Sequence, residues 1–68
     1  MNDEAFNASI RKFLKMVGVR SQGEIEKAVA SAMADGRLTG TQSFPARMRL
    51  TIDGIALDFT LDGEIHLE

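Results

Sequence analysis

Phe6, Ile10, Phe13, Leu14 and Val17 recur at helical spacing and leave Asn7, Arg11, Lys12 and Lys15 on the other side. This predicts a first helix over about residues 3–17. Asn2 or Asp3 can cap it, the early acidic residues suit the positive end of its dipole, and Lys15 lies toward the negative end. Gly18 can supply the left-handed residue that stops it. Ser21 followed by Glu24 has the spacing of a capping box, in which the two side chains satisfy free amides of a first turn. Ile25, Ala28, Val29, Ala32 and Met33 then repeat the stripe, so a second helix is expected over about 22–35, ended by Asp35-Gly36. With only Gly18-Val19-Arg20 between them, the two helices would form a tight hairpin or cross steeply.

The pattern changes after residue 36. Arg37 to Phe44 has no periodicity and reads as a loop closed by Pro45. Ala46, Met48, Leu50 and Ile52 then alternate with Arg47, Arg49 and Thr51, as in a strand with one buried face. Asp53-Gly54 is a strong hairpin signal. A two-residue turn there pairs Ile52 with Ile55, Leu50 with Leu57 and Met48 with Phe59, and sets Arg49 opposite Asp58. At the second Asp-Gly, a three-residue loop Leu61-Asp62-Gly63 keeps the apolar residues on one face by pairing Phe59 with Ile65 and Leu57 with Leu67. The expected fold is therefore α+β in the order ααβββ. A two-helix hairpin packs on a short antiparallel meander with strands at about 46–52, 55–60 and 64–67, forming a single domain over 1–68.

Composition narrows the function classes. A chain of 68 residues with no cysteine has no disulfide, thiolate metal site or cysteine nucleophile, and chains this short usually need a staple. Association with another subunit is the one left. The hydrophobic share of 44% is ordinary for a globular chain, and no run approaches the length of a membrane span. An acidic start, Met1-Asn2-Asp3-Glu4, is unlike a signal peptide, which makes the cytoplasm the default location. The formal net charge of −2 gives no general attraction to nucleic acid or anionic lipid.

Candidate chemistry is sparse. His66 is the only histidine and falls on the outward face of the last strand, so no two-histidine metal site or histidine dyad can form within one chain. No serine sits in a nucleophile pattern, and no glycine-rich phosphate loop is present. Glu24 and Glu26 point to different sides of a helix, while Asp53 and Asp62 are turn residues. No catalytic, cofactor-binding or metal-binding residue is assigned, and no cofactor is expected. Two surfaces could make contacts. Arg11, Lys12, Lys15 and Arg20 form a basic patch that could meet nucleic acid or a partner protein, and Arg47, Arg49 and Asp58 lie on the outer sheet face. Met16, Met33 and Met48 read as core filler.

The run Met1 to Asn7, then Ile10-Arg11-Lys12-Phe13-Leu14-Lys15, Val17-Gly18-Val19, Ser21-Gln22 and Glu24 to Val29 resembles a small bacterial family of unknown function. The likeness continues through Gly36-Arg37-Leu38, Pro45 to Met48, Leu50 to Gly54 and Gly63-Glu64-Ile65. It implies a free-standing bacterial protein of this length; Leu67-Glu68 reads either as a native ending, which the likeness favours, or as the remnant of an affinity tag. It carries no activity, ligand or catalytic residue.

Together these readings predict a non-enzymatic protein-interaction module that pairs with a second copy of itself or with another protein, without a membrane. The alternative is a small DNA-binding protein of reduced winged helix-turn-helix type, using Arg11, Lys12, Lys15 and Arg20. Against it stand Glu24 and Glu26 on the helix that would enter the groove, and the acidic total charge.

Overall fold

One helix, not two, precedes the sheet. In a computed structural model describing residues 1–68, helix α1 runs Asp3–Ala34, strand β1 Ser43–Ile52 and strand β2 Leu57–His66, with one 3₁₀ turn at Asp53–Ile55 between the strands. The order is αββ, which replaces the expected ααβββ. The chain forms two compact units, Met1–Arg37 and Leu38–Glu68.

The expected break at Gly18 fails because that glycine stays in the helical region; the positive-φ glycines are Gly36 and Gly40. The stripe also keeps its phase through the supposed turn, since Val17, Ser21 and Ile25 are each four residues apart. Gly18 and Gly23 cost about 1 kcal/mol each in a helix interior. Breaking the helix would instead expose two new ends, each with four unpaired backbone groups. Ser21 and Glu24 therefore lie mid-helix, and Glu24 faces Lys27 at 3.8 Å one turn on. A helix-turn-helix needs two helices, so the winged-helix reading loses its scaffold.

The real ends are well marked. The Asn2 side-chain oxygen accepts from the Ala5 N–H at 3.1 Å. At the other end Gly36 has φ 75°, its N–H donates to the Met33 carbonyl at 3.1 Å, and the Arg37 N–H donates to the Ala32 carbonyl at 2.9 Å. This is the Schellman pattern, and it needs a left-handed residue where Gly36 stands.

In the second unit, β1 begins at Ser43, taking in Phe44 from the expected loop, and β2 is one strand where two were expected. Ile52 pairs with Leu57, Leu50 with Phe59, Met48 with Leu61, Ala46 with Gly63 and Phe44 with Ile65. The register is thus two residues away from the expected one, so the inward set stays inward. The turn differs from the Asp-Gly expectation. Asp53–Ile55 make a 3₁₀ turn, and the left-handed position is Ala56, at φ 53° and ψ 36°, rather than Gly54. The four-residue loop brings Leu61 into the ladder opposite Met48 and Asp62 opposite Arg47, whereas the meander would have left both in a second loop. Better cross-strand pairing over ten residues outweighs the local preference of Asp-Gly.

Ala56 carries a testable cost, because its Cβ crowds the following carbonyl in the left-handed region. Replacing it with glycine removes the clash but loosens the unfolded chain, so Ala56→Gly is expected to stabilise the protein by about 0.5–1 kcal/mol in urea denaturation. A destabilised Ala56→Gly variant would show that the turn is not built this way.

Candidate functional site

Two apolar surfaces dominate, one on each unit. Along α1, Ile10, Leu14, Val17, Ser21, Ile25, Ala28 and Ala32 form the centre line of the stripe, with Phe6 and Phe13 along one flank and Val29 and Met33 along the other. On the hairpin every inward residue is apolar or glycine: Phe44, Ala46, Met48, Leu50 and Ile52 from β1, opposite Ile65, Gly63, Leu61, Phe59 and Leu57. No residue of the chain is fully buried. Phe6 is 48% exposed, Leu14 52%, Phe59 50% and Leu61 59%. Large side chains that remain half in water over contiguous faces mark a contact surface far more than scattered single ones do.

The basic residues do not form the single patch expected from the sequence. Arg11, Lys12 and Lys15 share one side of α1, within about 100° of arc, but Arg20 lies nine residues beyond Arg11 and points to the opposite side. None of the four forms an ion pair within the chain.

The outer hairpin face neutralises itself. The Arg47 Nε donates to Asp62 Oδ1 at 2.7 Å, directly across the ladder. Arg49 donates through Nε and Nη2 to both carboxylate oxygens of Asp58, at 2.9 and 2.8 Å. Sequence spacing identified the Arg49–Asp58 partnership, but its geometry is diagonal, because Arg49 stands opposite Thr60. Asp62 as the partner of Arg47 was hidden by its assignment to a turn. His66 does face outward, 3.6 Å from Glu64. No three of the histidine, aspartate and glutamate side chains come together as a metal site would require. With its cations already matched, the outer face has little left to offer a charged ligand.

The bidentate hydrogen bonds from Arg49 hold the Asp58 carboxyl below the usual carboxylate range, and Asp58 in turn raises the Arg49 guanidinium. A depressed carboxyl favours the folded state above its unfolded pKa, and that contribution disappears as pH falls through the folded value. In Arg49→Gln the Asp58 titration followed by NMR is expected to move up to the ordinary range. An unmoved titration would mean that the bidentate pair is absent in solution.

No helix of the chain is long and apolar enough to cross a membrane. No curated protein and no solved structure matches the sequence. A family model described as a family of unknown function, DUF6494, matches residues 1–68, and the chain belongs to that family.

Proposed function

We propose that this protein is a non-enzymatic interaction module whose working form is an assembly of its own copies. The observation that carries the reading is the pair of continuous apolar faces in a chain that buries no side chain. Helices in proteins owe most of their stability to packing of an apolar face, and a two-stranded hairpin on its own is marginal in water. Folding and association should then be one process. On the outer hairpin face the two arginines are paired with carboxylates, and the one histidine stands beside a single glutamate.

Light scattering over a wide concentration range, with melting followed on the same samples, tests the proposal. The expected result is a mass of at least two chains and a melting temperature that rises with protein concentration. A folded protein that stays monomeric at high concentration overturns it. The cluster of Arg11, Lys12 and Lys15 then becomes the next surface to test, by titration with duplex DNA at low salt.

A further inference from the structure

The stripe on α1 is arranged symmetrically about Ser21. Val17 and Ile25 stand four residues to either side, Leu14 and Ala28 seven, and Ile10 and Ala32 eleven. We infer that the stripe is covered by the same stripe of a second copy running antiparallel, with the two-fold axis at Ser21. The inference rests on the self-association proposed above and specifies its geometry.

Two independent features select this occupant and direction. The first is volume. The N-terminal half of the stripe is bulky, with Ile10, Leu14 and Val17 beside Phe6 and Phe13, whereas the C-terminal half is slim at Ala28 and Ala32. An antiparallel copy sets Leu14 on Ala28 and Ile10 on Ala32, which alternates large with small as close packing requires. A parallel copy would put phenylalanine against phenylalanine and leave a gap between facing alanines. At the crossing point Ser21 and Gly18 are small, and the space beyond the Gly18 Cα is open. The helices can approach closely there, which gives a reason for a glycine that costs helix stability.

The second feature is charge. Residues 5–20 hold Arg11, Lys12, Lys15 and Arg20 with no acid, while residues 21–35 hold Glu24, Glu26 and Asp35 against Lys27 alone. Antiparallel pairing lays each basic half along an acidic half, and parallel pairing lays like on like. Arg20 and Glu24 lie on the same side of α1, one residue before and three after Ser21. Across the two-fold axis each therefore comes level with the other's counterpart, giving two ion pairs at the rim of the contact.

Because the chain has no cysteine, single labels report the geometry directly. Full-length Lys12→Cys and Gln22→Cys, each carrying a nitroxide, are measured by double electron–electron resonance after light scattering establishes the mass. In the antiparallel pair the Lys12→Cys labels are offset by about 27 Å along the axis, and the Gln22→Cys labels by about 3 Å, from a 1.5 Å rise per residue. The Lys12→Cys labels point away from the contact, so the width of two helices, about 20–24 Å, combines with their axial offset, and a position-12 distance of about 35 Å with a short one at 22 supports the inference. A position-12 distance of about 20–24 Å, the width alone, overturns it in favour of a parallel pair, and long distances at both positions place the contact away from α1, while self-association stands in either case. A monomer by light scattering removes the underlying reading as well. As a check on charge, Arg20→Glu is expected to weaken association about tenfold, and adding Glu24→Arg to the same chain to restore it. Failure of the double variant to recover would remove the charge argument.

Discussion

Val17→Asp is expected to abolish association and, with it, the helix. Val17 is half-buried on the centre line of the stripe, four residues from Ser21. Aspartate and valine have similar intrinsic helix propensity, so the substitution changes the surface rather than the local preference for helix. What it introduces is a carboxylate that must be desolvated in the contact without a partner, at a cost of about 3 kcal/mol or more per copy. A symmetric dimer contains two such sites, so the dissociation constant should rise by roughly 10⁴-fold. Circular dichroism at micromolar concentration should show loss of helix, with recovery only at far higher concentration if at all. Ala30→Gln, exposed and off the stripe, should leave mass and melting within about 0.5 kcal/mol of the parent. Equal behaviour of the two variants would mean that the stripe is not a contact surface.

What the sequence disclosed follows from which signals are local and which are competitive. The helix stripe, a cap at Asn2 or Asp3 and the Gly36 stop were readable, because each depends on residues within one or two turns. The apolar face of the hairpin was readable too, since alternation assigns Leu50 and Phe59 inward under either register. The errors lay where two local signals competed with a longer one. Gly18 and the Ser21–Glu24 pair look like a helix boundary, but the uninterrupted phase from Val17 through Ile25 favours continuation, and only the sum over the whole helix decides. Both Asp-Gly pairs look like turns. One occupies a wider loop whose left-handed residue is Ala56, and the other lies inside β2, where Asp62 pairs with Arg47 and Gly63 faces Ala46.

For the contact surfaces, sequence periodicity identified the members but could not separate an internal core from an external contact. The same Phe6–Val17 stripe serves either purpose, because its spacing requires only that something apolar cover it. The basic patch shows the converse problem. Arg20 is close to Arg11 and Lys15 in sequence, and only a continuous helix places it on the opposite side, where it becomes a rim residue of the stripe.

Phe59→Ala tests the hairpin face in the same spirit and should have the second largest effect. Phe59 stands directly opposite Leu50 in the middle of the ladder and is half in water within a single chain. If that exposure persisted in solution, truncation would remove only part of a full burial term, about 1 kcal/mol. A hairpin of two strands does not hold itself together on so little, and the proposed assembly is expected to cover the face. Truncation should then cost about 3 kcal/mol, the transfer term plus the cavity left behind. Urea denaturation at fixed chain concentration separates the two values, and Thr60→Ala on the opposite face supplies the control, expected within about 0.5 kcal/mol of the parent. A cost near 1 kcal/mol for Phe59→Ala would mean that the hairpin face stays open to water, leaving α1 alone to drive assembly. A cost near 3 kcal/mol that shrinks on dilution would instead tie the hairpin to the same cooperative association, because a face covered within one chain gives a loss independent of concentration.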